Sequence, residues 1–175
     1  MSPRWRKVAL TAHVTSSIGW LGAVAGFLAL AVTGLVSVDA QVVRSADLGM
    51  GLITWFVIVP LCFASVLTGL ISSLATPWGV FRHYWVLVKV LITIPATIVL
   101  VVHLQPITLL GEAARGAVSL TEMDLYSMRK MLAIAAGTAV FVLLVLTGLS
   151  YYKPRGITQY GSRKQAERRE LRPSL

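Results

Sequence analysis

Three histidines are the side chains of this sequence with the clearest capacity for chemistry. His13 follows a short basic segment, while His83 and His103 stand at the two ends of one apolar stretch. Neutral imidazole is a good ligand for iron and copper. In a continuous helix, twenty residues correspond to about 30 Å. His83 and His103 therefore cannot bind the same metal ion or the same haem.

His13 and His83 begin two apolar stretches that would enter a membrane from the same side, so we expect them at similar depth. Two histidines from different helices are a common way to hold haem iron within a membrane. We therefore predict His13 and His83 as the axial ligands of one haem b. Arg82 and Lys89 flank His83 and are expected near the haem propionates. The competing interpretation makes His83 an interfacial residue and His13 a polar contact between helices.

Two further features bear on whether the histidines bind haem: the residues next to His13, and the third histidine, His103. Ser16 and Ser17 share the His13 face of a helix, where small side chains would leave room for a flat ring. His103 is the weaker metal candidate, either inert at the opposite interface or a ligand of a second haem or metal ion. The methionines that would complete such a site are Met50, Met123 and Met128.

No other catalytic constellation is present in the sequence, and no catalytic residue is assigned. It has no phosphate-binding glycine loop, no paired histidines of a metallohydrolase and no pair of closely spaced cysteines. Its single cysteine, Cys62, excludes a disulfide framework and a cysteine-based zinc site. Whether the protein is an enzyme stays open at this point.

The elements that must position these histidines are predicted to be membrane helices. Charged residues make up only 13% of the chain and hydrophobic residues 56%, a composition that excludes ordinary soluble enzymes and disordered chains. A bilayer core needs about 20 apolar residues in helix. Four stretches qualify, at 8–38, 52–75, 85–104 and 131–152, and Lys89 is the only charge inside them. We predict an all-α integral membrane four-helix bundle built from two hairpins.

The remaining segments are predicted as tails and loops around a transmembrane domain at 8–152. Residues 1–7 form one tail and the basic residues 153–175 form the other. Residues 40–51 and 105–130 are predicted as loops on the opposite side, and Thr121 could cap an early start of the fourth helix. No acidic residue lies within a predicted span, so no carboxylate proton relay is expected.

The placement of lysine and arginine predicts the orientation. With the N-terminus inside, eleven basic residues fall on the inner side and four in the outer loops. The excess of cations on one side predicts that both termini are cytoplasmic. A cleaved signal peptide is set aside, because the first apolar run is far longer than the about 7–15 residues of a signal sequence. The net charge of +9 is attributed to lipid headgroups, and no nucleic-acid partner is expected.

Small residues predict where the helices contact one another, because in lipid close backbone approach supplies the packing. The four residues predicted at such contacts are Gly22, Gly26, Ser65 and Gly69. The pentapeptide Val-Leu-Thr-Gly-Leu occurs at 66–70 and again at 145–149, through either a duplicated hairpin or chance. Pro60 and Pro95 lie within spans and are expected to kink them.

Three segments carry a resemblance to known proteins that covers most of residues 8–160. They are HVTSSIGWLG at 13–22, TPWGVFRHYWVLVK at 76–89 with its continuation to His103, and YKPRG at 152–156. These segments resemble an uncharacterised family of small bacterial four-span membrane proteins. The chain is also distantly similar to the copper-resistance D domain and to bis-histidine cytochrome b bundles. The resemblance implies a location in the bacterial cytoplasmic (inner) membrane.

Three functions are expected from these observations. The first is a haem b-binding protein for electron transfer or haem sensing, with its histidine pair near the cytoplasmic face. The second is a permease for copper or another metal, although the spans lack the methionine clusters that copper-resistance proteins lead us to expect. The third is a non-catalytic accessory subunit of a membrane complex. Expected partners are the lipid bilayer and either a membrane redox protein or a second copy of the chain.

Overall fold

The protein is all-α, as the sequence predicts. The computed structural model describes residues 3–75 and 84–152, of which 93% are helical and none is in a strand. The helices are α1 (Pro3–Val36), α2 (Ala40–Ile53), α3 (Val59–Ala75), α4 (Tyr84–Ala114) and α5 (Glu122–Tyr152). A π-helical turn, Thr54–Ile58, joins α2 to α3 without a break.

Four helical stretches are long and apolar enough to cross a bilayer. They are Arg4–Val36, Ala40–Ser73, Leu87–Ala114 and Glu122–Ser150. Many large apolar side chains on them are exposed, among them Phe56, Leu91 and Phe141. In water such surfaces would aggregate, whereas in a bilayer they face hydrocarbon. The chain is therefore a multi-pass membrane protein.

The helices are longer than predicted on the side where 40–51 and 105–130 were expected to be loops. α2 begins at Ala40, because the Asp39 side chain accepts hydrogen bonds from the backbone N–H groups of Gln41 (2.8 Å) and Val42 (3.4 Å). Thr121 caps α5, as predicted, by accepting from the N–H of Asp124 at 3.2 Å. Most of both predicted loops is therefore helix.

α4 ends in a glycine-dependent turn. Gly116 has a positive φ of 77°, and its N–H donates to the carbonyl of Ala113 at 2.9 Å. The N–H of Ala117 donates to the carbonyl of Glu112 at 3.0 Å. This pair of bonds is a Schellman motif, which satisfies the last carbonyls of a helix and requires a residue without a Cβ penalty. The connection from α4 to α5 is consequently short.

α1 is the centre of the bundle. It packs against α2, α3 and α5, whereas α4 packs on α2 and α5 and touches α3 little. The core is formed largely by one face of α1, with Trp20, Phe27 and Ala31 buried against residues of the other helices. The bundle is therefore closed where α2 meets α4 and more open where α3 runs beside α4.

The π-helical turn lies directly before Pro60, where the sequence predicts a kink. The N–H of Val59 donates to the carbonyl of Thr54, and the Thr54 hydroxyl donates to the carbonyl of Met50 at 2.7 Å. Proline has no N–H to continue the regular pattern, and such turns are a recognised local adjustment to that loss. α4 continues through Pro95 and Pro106 as helix.

Candidate functional site

Polar side chains gather at two opposite ends of the bundle. The terminal face is the end that contains the first turns of α1 and α4 and the last turns of α3 and α5. The loop face is the end that contains the connections at 37–39 and 115–121. Contacts between early α1 and late α3, and between early α4 and late α5, show that these helices meet in antiparallel pairs. Each face holds one polar cluster.

His13 organises the cluster at the terminal face. Its Nδ1 donates to the carbonyl oxygen of Ser65 at 3.0 Å, and Thr68 Oγ1 lies 3.4 Å from the same nitrogen. A carbonyl can only accept, so Nδ1 carries the hydrogen and Nε2 of the neutral ring keeps its lone pair. Metal-binding histidines are commonly oriented by this kind of hydrogen bond to a backbone carbonyl.

Gly69 provides the surface on which the His13 ring lies. A Cβ atom added at Gly69 would come within 3.0 Å of His13 Cε1 and 3.3 Å of Nδ1. Those separations are too short for ordinary contact, so the bare glycine backbone is what lets the ring approach α3. The prediction that Gly69 lies at a helix–helix contact is confirmed.

The serines beside His13 are used differently from the prediction. The Ser17 and Ser65 hydroxyls share a 2.7 Å hydrogen bond between α1 and α3, which places Ser65 at a helix contact as predicted. Buried Ser16 donates to the carbonyl of His13 at 3.1 Å. The small side chains therefore bring α3 close to α1, so the side of His13 that faces α3 is occupied by helix contacts.

Lys89 joins the terminal cluster from α4. Its ammonium group donates to the hydroxyl of Ser150 on α5, which in turn donates to the carbonyl of Leu146 at 2.8 Å. The Lys89 head group is therefore used in a contact between α4 and α5. His83 and Arg82 lie outside the described residues.

His103 faces a different environment from His13. Its Nδ1 donates to the carbonyl of Val99 one turn earlier, at 2.7 Å. The ring lines an almost wholly apolar groove of about 410 Å³ between α1, α4, α5 and the turn that joins α2 to α3. None of Met50, Met123 and Met128 lines this groove. Within 3–75 and 84–152, no three His, Cys, Asp or Glu residues are grouped to hold a metal ion.

The loop face contains a buried ion pair that the sequence analysis missed. Arg129 Nη2 donates to Asp47 Oδ2 at 2.7 Å, and Nε donates to Oδ1 at 3.1 Å and to Oδ2 at 3.3 Å. Asp47 is 2% exposed and Arg129 is 9% exposed. Gly34 of α1 completes the enclosure, since a Cβ there would lie 3.5 Å from Arg129 Cδ. The pair thus joins α2 to α5 beside α1.

The ion pair corrects the expectation that no acidic residue lies within a span, because Asp47 belongs to the Ala40–Ser73 stretch. The sequence does hold a signal for both partners. Val43, Asp47, Met50 and Thr54 recur at helical spacing, and so do Leu125, Arg129, Leu132 and Ala136. Each of these two largely apolar helix faces contains one charged residue, and the two charges have opposite signs. This pattern is typical of an ion pair buried between helices.

A cavity of about 690 Å³ opens above this ion pair at the loop face. Asp47 and Arg129 line it together with Arg44, Glu122 and Tyr126. Arg44, Glu122 and Tyr126 are exposed, and their side chains make no hydrogen bond or ion pair with other residues that the structure describes. The cavity therefore presents both signs of charge.

No protein-family model, no curated protein and no solved structure matches the chain.

Proposed function

We propose that this multi-pass membrane protein binds haem b at its terminal face, with His13 and His83 as axial ligands, for electron transfer or haem sensing. The observation that carries the proposal is the 3.0 Å hydrogen bond from His13 Nδ1 to the Ser65 carbonyl. It orients the ring and leaves the Nε2 lone pair for iron. Bound haem would supply a one-electron couple.

The charge of the terminal cluster supports an anionic cofactor. Lys89 lies in the first turns of α4, at the same end of the bundle as His13, and donates a hydrogen bond to Ser150. Haem carries two propionates, and cations close to a histidine ligand stabilise them through charge-assisted hydrogen bonds. Arg82 is proposed as the second propionate partner because it directly precedes His83 in the sequence. Lys89 and Arg82 would bind and orient the cofactor, and neither is proposed to transfer a proton.

The proposed location is the bacterial cytoplasmic membrane with both termini in the cytoplasm. The described helices support four crossings, which place the two termini on one side. Basic residues favour the cytoplasmic side, and they are concentrated near both termini. Cysteine labelling tests this proposal: a Ser2→Cys variant should stay unlabelled by a membrane-impermeant reagent in intact cells, while Ser119→Cys should react.

The test of haem binding is the visible spectrum of the full chain purified from cells supplied with a haem precursor. We expect a Soret band and a sharp reduced spectrum typical of low-spin iron with two imidazoles. His13→Ala and His83→Ala should each lower haem occupancy, whereas His103→Ala should leave it unchanged. In a His13→Gly variant, added imidazole should restore the spectrum, which loss of folding alone would not allow.

Three results would contradict haem binding at this site. Wild-type protein without a Soret band but with stoichiometric copper would favour the metal-handling permease. A colourless protein that co-purifies in a stable complex would favour the accessory subunit, for which the exposed apolar side chains on α4, among them Leu91, Ile98 and Val102, are the supporting observation. Haem lost only in His103→Ala would move the cofactor to the apolar groove.

A further inference from the structure

We propose that the cavity at the loop face binds a small zwitterion, a molecule with an ammonium group and an anionic group a few ångströms apart. The cavity volume of about 690 Å³ is within the range of about 300–1,000 Å³ that small-ligand sites occupy. It lies at one end of the four helices that are long and apolar enough to cross a bilayer, where lipid headgroups are expected. The proposal is independent of haem binding.

The floor of the cavity offers hydrogen-bond donors to an anionic group. Arg129 uses Nε and Nη2 on Asp47, and its Nη1 makes no hydrogen bond with any residue in the described part of the chain. Arg129 lines the cavity, and Nη1 is not a fully buried atom, so we infer that this nitrogen can reach a ligand there. A guanidinium edge held in place by a carboxylate is a preorganised binder of carboxylate or phosphate.

The rim of the cavity adds one charge of each sign. Arg44 stands three residues before Asp47 on the same face of α2, and Glu122 stands in the first turn of α5. Both side chains line the cavity and are exposed. Arg44 can assist Arg129 in holding an anionic group, and Glu122 can accept hydrogen bonds from an ammonium group.

The balance of charges is what selects a zwitterion. The cavity is lined by two cations, Arg44 and Arg129, and by two anions, Asp47 and Glu122. A ligand with only negative charge would meet the repulsion of Glu122, and a purely cationic ligand would meet that of Arg44. A molecule that carries both groups satisfies both residues. Phosphoethanolamine has this chemistry, as a lipid headgroup or as a free molecule.

The experiment is isothermal titration calorimetry of the full-length protein in detergent, with O-phosphoethanolamine as the probe. We expect saturable binding that is at least about tenfold tighter than that of inorganic phosphate or of ethanolamine, because each lacks one charged contact. Arg44→Gln and Glu122→Gln should each weaken binding about threefold, as expected for partly exposed charges. Lys130→Gln and Glu112→Gln are the matched controls, since neither residue lines the cavity.

Two bilayer compositions separate the sources of the zwitterion. If the lipid headgroup is the ligand, protein in phosphatidylethanolamine nanodiscs should no longer bind the soluble probe, while protein in phosphatidylglycerol nanodiscs should bind it. If a free zwitterion is the ligand, the affinity should be the same in both. The proposal is overturned by the absence of saturable binding, by equal affinity for inorganic phosphate, or by equal effects of Glu122→Gln and Glu112→Gln.

Discussion

The two ends of the bundle handle buried polar groups in different ways. At the loop face, Asp47 and Arg129 satisfy one another through three contacts and are almost completely buried. At the terminal face, His13 makes one short hydrogen bond to a backbone carbonyl and keeps a ring nitrogen available. The paired carboxylate and guanidinium anchor two helices to each other, whereas the imidazole is oriented by one backbone group. The difference teaches that a charge buried in an apolar scaffold needs a partner of opposite sign, while a neutral ring needs only a backbone hydrogen bond.

The repeated pentapeptide makes the same contrast on a smaller scale. Gly69 lies against His13, while a Cβ at Gly148 would meet nothing within 4 Å. Thr68 lies near the histidine, whereas Thr147 donates only to its own helix, to the carbonyl of Leu143 at 2.8 Å. Identical sequences therefore have different roles, because only one of them faces a ring on the neighbouring helix.

The largest expected effect comes from breaking the ion pair at the loop face. Arg129→Ala leaves the Asp47 carboxylate buried without its partner, and we expect it to lower the free energy of unfolding by about 3–5 kcal/mol. Chemical or thermal denaturation in detergent measures this loss. Lys130 is the next residue and is exposed, so Lys130→Ala should change the free energy of unfolding by less than about 0.5 kcal/mol.

Replacing both partners sharpens this prediction. A double variant with Leu at positions 47 and 129 removes the charges together and should recover much of the stability that Arg129→Ala loses. Equal stability of Arg129→Ala and the wild type would show that the pair does not anchor the loop face.

An intermediate effect is expected from the two glycines of the repeat. Gly69→Ala places a Cβ 3.0 Å from His13 Cε1, so the ring must shift, at a cost of about 1–3 kcal/mol. Gly148→Ala meets no neighbour within 4 Å and should be neutral or stabilise the helix by up to about 1 kcal/mol. Thermal denaturation in detergent compares the two variants. Similar stabilities would show that Gly69 is not packed more tightly than Gly148.

The smallest expected effect concerns a glycine that the sequence analysis placed wrongly. Gly22 is exposed, and a Cβ added there would meet nothing within 4 Å. A Cβ added at Gly26 would lie 3.3 Å from Ile53 Cδ1. The prediction of a helix contact is therefore confirmed at Gly26 and wrong at Gly22. Gly22→Leu should change the free energy of unfolding by less than about 0.5 kcal/mol. A bundle disrupted by Gly22→Leu would show that another molecule packs on this face.

The membrane class and the four crossings could be predicted from the sequence alone. An apolar stretch of about 20 residues is long enough to cross a bilayer, where its side chains contact hydrocarbon. Within the bilayer it must be helical, because a helix satisfies all the backbone hydrogen bonds internally. The Thr121 cap was also predictable, since a cap depends on residues a few positions apart. Such properties are local and need no knowledge of the neighbouring helices.

Only the tertiary structure decided which of these residues meet. The Asp47–Arg129 pair joins positions 82 residues apart, and His13 and Ser65 are 52 residues apart. Gly22 and Gly26 lie about one turn apart on nearly the same face of α1, so which of them meets a neighbour depends on where the other helices approach α1 along its length. Lengths of helices follow from local chemistry, but the partners of a buried charge or ring follow from how whole helices pack, and that is a global property of the chain.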